Sequence, residues 1–248
     1  RTVAAAVLAA LAAAAVFAVT VVYQLDLRSQ LENYVASLRG GGGFPVALDG
    51  MTVHRLLPMG KDVAVVTSAG TYIYNSSGAR INSCLNNYRT PPARAAGGKI
   101  LTYDLGGADL RVDNKAKQLH ALTVKGGSLL AADIAQNGAI AVAQTGVGVD
   151  AMVLAYNPRF ELMYGWSVQD SYITDVALSP RGTRMSCAGI TMEGQHIVSL
   201  LRVHHFDRDQ EVARVSLPDE VLVSMVWDGQ EEIQVVPDKR LYLFDRQG

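Results

Sequence analysis

An all-β repeat fold is what the sequence predicts, and three observations predict it. A turn glycine opens a β-rich segment five times, at Gly60, Gly98, Gly138, Gly182 and Gly229, with intervals of 38, 40, 44 and 47 residues. An Asn or Asp closes the next strand after an aromatic, in Tyr74-Asn75, Tyr156-Asn157, Phe206-Asp207 and Phe244-Asp245, and Val112-Asp113 fills the slot without one. The third observation is the stretch Ser171–Gly189, which reads as strand, tight turn, strand. Its turn, Ser179-Pro180-Arg181-Gly182, puts Ser first, Pro at the position whose φ it fixes, and Gly fourth, as a type I turn requires. A period of roughly 40–45 residues with short strands in each unit is the pattern of propeller blades. The expected fold is therefore an all-β β-propeller with about five blades present.

In chain order, residues Thr2–Tyr23 carry no charged side chain, and Val3–Val22 is 20 residues long. At about 1.5 Å per residue such a helix spans a hydrocarbon core of roughly 30 Å. Residues 1–23 are thus expected to form a transmembrane signal-anchor helix. The rival reading is a cleaved signal peptide, with Ala13-Ala14-Ala15 as the small-residue site. The apolar run exceeds the usual signal-peptide core of about 7–15 residues, which favours the anchor. Arg1 precedes the run, and the chain beyond it is long, so the short N-terminal flank sets orientation and the rest is expected outside the cytoplasm.

Residues 24–43 read as a helical stalk and a Gly linker. Leu27, Leu31, Tyr34 with Val35, and Leu38 recur at spacings of four and three, one apolar face of a helix over Gln24–Arg39. A weak dimer through Leu27, Leu31 and Leu38 is one use of that face; a stalk resting on the membrane or on the propeller is the other. Gly40–Gly43 breaks the helix and supplies a flexible joint. Residues 44–248 are the propeller, expected to be an incomplete part of a larger ring.

Strands are expected at Phe44–Leu48 and Val53–Leu57, then in five units. The first has Asp62–Val66, Thr71–Tyr74 and Arg80–Leu85, followed by a loop over Asn86–Ala96 with Pro91-Pro92. The second has Ile100–Tyr103, Leu110–Val112 and Leu119–Val124, and the third has Ala139–Ala143, Met152–Tyr156 and Leu162–Trp166. The fourth adds His196–Phe206 and Val212–Val215 to the Ser171–Gly189 hairpin, and the fifth has Val221–Trp227, Glu232–Val236 and Leu241–Phe244.

At these residues the chain resembles the WD-repeat and quinoprotein-like β-propeller superfamily. Asp175-Val-Ala-Leu-Ser-Pro-Arg-Gly182 is similar to the DVAFSPDG-type turn of bacterial propellers, and Tyr72-Ile-Tyr-Asn75 and Leu241-Tyr-Leu-Phe-Asp245 resemble their strand endings. With the N-terminal run included, the chain looks like a family of uncharacterised bacterial membrane-anchored propeller proteins. It departs from true WD repeats in lacking their Gly-His and strand-ending Trp-Asp pairs. It also lacks the tryptophan-docking motifs of quinone-binding enzymes, so that cofactor is not carried over.

The net charge is −1, which gives no electrostatic case for nucleic acid. Cys84 and Cys187 lie about a hundred residues apart without metal-ligand spacing and read as buried free thiols, a disulfide between them being the alternative. His204-His205-Phe206-Asp207 is the one ligand-like cluster, because His205 and Asp207 share a strand face. The other histidines, His54, His120 and His196, lie in other elements, so the reading is structural. The acidic pairs Asp219-Glu220 and Glu231-Glu232 have the residue type for acid–base work, yet adjacent side chains on a strand point apart. Arg80, Arg89, Arg94 and Lys99 surround the Pro91-Pro92 loop as a modest basic cluster. No catalytic, cofactor-binding or metal residue is assigned. The expected function is a binding or scaffolding module displayed outside the cytoplasmic membrane, with a protein or cell-envelope partner. The alternative is a propeller enzyme, a hydrolase or a quinone-dependent oxidoreductase, whose site lies in blades beyond those present.

Overall fold

In the computed structural model the described residues are 27–48, 50–85, 88, 91–229 and 232–244. The Thr2–Tyr23 run and the Asp245 marker lie outside them. Among the described residues one helix, α1 (Leu27–Ser37), precedes nineteen strands. The strands form five antiparallel sheets in chain order. The first contains β1 (Val53–Met59), β2 (Asp62–Thr67), β3 (Gly70–Tyr74) and β4 (Arg80–Leu85). The second contains β5 (Ala93–Ala96), β6 (Lys99–Tyr103), β7 (Asp109–Asn114) and β8 (Gln118–Thr123). The third contains β9 (Leu129–Ile134), β10 (Ile140–Gln144), β11 (Ala151–Tyr156) and β12 (Leu162–Val168). The fourth contains β13 (Tyr172–Leu178), β14 (Arg184–Glu193), β15 (His196–His205) and β16 (Glu211–Pro218). The fifth has β17 (Leu222–Trp227), β18 (Ile233–Pro237) and β19 (Tyr242–Phe244). Each sheet is a blade whose first strand touches the first strand of the next, the arrangement of a β-propeller.

A blade inside such an arrangement is covered on both faces. Its second strand is therefore apolar throughout rather than alternating, as Ile140-Ala-Val-Ala143 in β10 shows. One apolar cluster fills each gap. Val66, Ile73 and Ile100 lie between blades one and two, Leu101, Leu110 and Ile140 between two and three, Val153, Ile173 and Met185 between three and four, and Leu201, Trp227 and Val235 between four and five. Small residues such as Ala141, Ala143 and Ala151 bring sheets three and four close together.

The five marker glycines all fall in the first turn of a blade. Gly182 shows why the residue is needed: its φ is 65°, and a Cβ there would stand 2.8 Å from that of Ala139 in the neighbouring blade. Asn75 and Asn157 cap the third turn with their side-chain oxygens, which accept backbone N–H groups two and four residues on. In blade two that role belongs to Asn114, bonded to Ala116 and Lys117, and not to its neighbour Asp113.

Four expectations need correction. Phe44–Leu48 forms no strand; Val46, Leu48 and Met51 instead pack on Val65, Tyr72 and Tyr74, covering the outer face of blade one. Ala93–Ala96, read as loop, is the inner strand of blade two, and Leu129–Ile134 is an inner strand not anticipated at all. The Gly linker is no free joint. Gly43 N–H donates to Ser77 O at 2.8 Å, and a Cβ on Gly41 would stand 2.4 Å from backbone atoms of Ser77 and Ala79, so these glycines serve close approach.

The α1 helix meets the propeller by one face only. Its apolar face points away from the propeller, and its polar face is buried: Ser29, Asn33 and Ser37 are covered, while Leu31, Val35 and Leu38 are about 60 % exposed. No helix among the described residues is long and apolar enough to cross a membrane.

Candidate functional site

The inner strands of blades two to five converge on one recess of about 190 Å³, at the end where the marker turns lie. Arg94 of β5 and Asp133 of β9 line it with Met225 and Trp227 of β17, and Asp175 of β13 pairs with Arg94 from behind the lining. The Arg94 guanidinium stands 3.3 Å from an Asp175 oxygen and 3.9 Å from an Asp133 oxygen. Asp133 also accepts the Leu178 N–H at 2.8 Å, and Asp175 accepts that of Val176 at 3.0 Å. One guanidinium thus offsets two carboxylates drawn from different blades.

Burial sets their titration. It pushes the Asp133 carboxyl up to about 6 even though the Leu178 N–H and Arg94 pull the other way. Asp175 is raised for the same first reason, with Arg94 opposing. Trp227 forms the wall and bolts blade five to blade four: its indole N–H donates to Ala177 O at 3.2 Å and Ser186 Oγ at 3.0 Å.

Sequence reasoning placed Arg94 in a surface basic cluster, and the structure disperses that cluster. Arg80 lies over the Tyr72 ring, Lys99 is buried, Arg94 turns into the recess, and Arg89 lies outside the described residues. Asp133 was not singled out. The signal was weak, because Arg94, Asp133 and Asp175 precede their marker glycines by 4, 5 and 7 residues, so no fixed offset relates them.

The other candidates take up structural partners. His204 is 1 % exposed, with Nδ1 3.0 Å from the Tyr164 hydroxyl and its ring 4.3 Å from that of Trp166. Burial, helped by Arg202, pushes it down to about 4, so it is neutral at pH 7. His205 pairs with Asp207 in the β15–β16 turn, as their shared strand face predicts. Asp219 bonds His196 at 2.9 Å, and Glu220 accepts from the Tyr242 hydroxyl at 3.0 Å and lies 3.6 Å from Arg240. Asp219 and Glu220 thus take separate partners, and Glu231 lies outside the described residues. Among the described residues no group of three or more His, Cys, Asp or Glu is placed to hold a metal ion.

Cys84 and Cys187 are buried and unpaired with each other. Burial raises both thiols, Cys84 to about 12. The aromatics of the repeat pack between blades at Tyr156, Phe206 and Phe244, whereas Tyr74 lies under Val46, Leu48 and Met51.

A family model described as a family of unknown function, DUF5711, matches residues 49–248. The chain belongs to the DUF5711 family. No curated protein matches it. Among solved structures it is similar to Kuenenia stuttgartiensis hydrazine synthase, with a TM-score of 0.58 at 13% identity over 79% of this chain and 58% of that one. It is similar to Kluyveromyces lactis Hsv2p, with a TM-score of 0.55 at 16% identity over 77% and 60%. It is also similar to a complex of KlAtg21 with the coiled-coil of AgAtg16, with a TM-score of 0.63 at 14% identity over 81% and 68%. These are β-propeller proteins, and at such identities the likeness carries the fold alone. The DUF5711 chain spans 58% and 60% of the first two.

Proposed function

We propose that this DUF5711 chain is a non-enzymatic binding or scaffolding module, held at the cell membrane by residues 2–23 and displayed on its extracytoplasmic side. One observation carries the reading: the candidate ionisable groups of the recess and rim each take a side-chain partner within the chain. Arg94 serves Asp175 and Asp133, Glu220 serves Tyr242, and Asp207 serves His205. The Arg94 bonds join blade two to blades three and four, and the Asp207 pair fixes a turn. What the blades present away from α1 is the opposite end face of loops, those joining β10 to β11 and β14 to β15 among them, and propellers use such loops as docking platforms. The partner is a protein or a component of the cell envelope. The uncharged 22-residue Thr2–Tyr23 run, preceded by Arg1, supports the anchor and the orientation.

External protease added to intact spheroplasts tests the placement. Cleavage of the chain from outside is the expected result. A chain protected until the membrane is permeabilised would put the propeller in the cytoplasm and overturn both the location and the partner class.

A further inference from the structure

The underside of α1 is locked to the propeller by polar bonds. Asn33 donates to Gly98 O at 3.2 Å and accepts the Lys115 N–H at 2.8 Å. Asn114 donates to Ser29 Oγ at 3.2 Å, and Asn75 donates to the carbonyls of Ser37 and Arg39. At the centre, Ser37 and Lys115 both bond the buried Asp62 carboxylate, at 2.5 and 2.7 Å. Every one of these partners sits in a turn or on the strand residue next to one, on the same end of blades one and two. The helix therefore cannot roll its apolar side inward.

That outer side is a continuous stripe. Leu27, Leu31, Tyr34, Val35 and Leu38 are 40–63% exposed, and a shallow groove of about 390 Å³ runs beside them between Leu31, Val35, Ala36 and Ala116. Two further facts identify what covers it. Leu27 follows the last residue of the uncharged run, Tyr23, by only four positions, a reach of at most about 14 Å. The surroundings carry a cationic excess, with Arg28 and Arg39 on or next to α1, and Lys61, Lys117 and Arg159 on the turns of blades one to three at this end, against Glu32 and Glu161. The acid on α1, Glu32, is held by Arg28 and Lys117. On the turns of blades four and five, away from α1, Asp207, Asp209 and Asp228 stand against Arg181 and Arg208, without that excess.

We propose that α1 lies flat in the membrane–water interface, its stripe in the acyl-chain boundary, so that the end face of blades one to three is held against anionic lipid headgroups and the propeller tilts with blades four and five outward. The inference rests on the reading that residues 2–23 anchor the chain, and adds the orientation of the domain. An apolar helix face flanked by Lys and Arg is the pattern of an interfacial helix, settling about 5–10 Å into the headgroup boundary. A second copy is the weaker occupant: four side chains on an 11-residue helix, with Leu38 just past it, bury far less than the roughly 800 Å² per partner of a stable interface.

The test uses the full chain reconstituted in vesicles of phosphatidylethanolamine and phosphatidylglycerol, spin-labelled at L31C, V35C, L38C or D209C. Native Cys84 and Cys187 are buried and leave the introduced thiol as the label site. Labels at positions 31, 35 and 38 should collide more with oxygen than with an aqueous nickel chelate, and the label at 209 should do the reverse. Stripe labels that favour the nickel chelate would overturn the proposal. So would dipolar broadening between stripe labels that disappears on dilution with unlabelled chain, which would assign the stripe to a second copy. Failure of the anchor itself shows separately, as chain that does not float with the vesicles after an alkaline wash.

Discussion

The Lys115 ammonium lies 2.7 Å from the carboxylate of Asp62, 53 residues earlier in the chain, and α1 covers both. The Asp62 side chain is fully buried, and that of Lys115 is 11% exposed. Burial alone would raise the Asp62 pKa, but the bonds from Lys115 and Ser37 outweigh it and leave it lowered. Asp62→Ala strands an ammonium, and Lys115→Met strands a carboxylate. Each single change should cost on the order of 3–5 kcal/mol, more than half the cost of the double change. Urea unfolding of the detergent-solubilised chain would read this, and simple additivity would refute it.

Asp62 and Asp133 should give opposite pH signatures. A lowered carboxyl contributes stability that is present above the unfolded value near 4 and is lost as pH falls through the folded one. Asp133, raised to about 6, binds its proton more tightly folded than unfolded, so its contribution falls as pH rises from about 4 to 6. Asp133→Asn keeps an acceptor for the Leu178 N–H. It should raise stability at pH 7 by up to about 3 kcal/mol and flatten the profile between pH 4 and 6. Unfolding midpoints measured from pH 4 to 8 decide it, and an unchanged slope would contradict the assignment.

Asn33→Ala should destabilise more than Leu31→Ala, against ordinary expectation for a helix. The first leaves Gly98 O and the Lys115 N–H without their partner, at about 1–3 kcal/mol. The second trims an exposed side chain and should stay within about 0.5 kcal/mol. Thermal unfolding of the two variants in the same detergent is the check, and the reverse order would mean that α1 packs by its apolar face.

Trp227→Phe keeps a ring between blades four and five but removes the donor to Ala177 O and Ser186 Oγ. The expected loss is about 1–3 kcal/mol. Hydrogen exchange should also quicken at β17 and β18 before the other blades. Uniform acceleration would contradict a local bolt.

These residues also show how much the sequence could disclose. The blade repeat was legible because a turn with positive φ demands Gly and an Asx turn demands Asn or Asp, and both chemistries are local. The strands Ala93–Ala96 and Leu129–Ile134 were not legible, since a short Ala-rich strand has little β-propensity and a strand buried on both faces shows no alternation. For α1, periodicity located the helix but could not say which face packs, because the turns beneath it present amide and carboxylate groups that bond its polar side. The Arg94–Asp133–Asp175 ion cluster depends on three blades meeting at one point, and only the fold brings them together.

The central claim is that the propeller is displayed on the extracytoplasmic side of the membrane. Val147, 86% exposed on the β10–β11 loop, offers a reporter site, and the two native thiols are buried. Val147→Cys in intact cells should react with a membrane-impermeant maleimide as completely as it does after permeabilisation. Labelling that appears only once the membrane is opened would contradict the account.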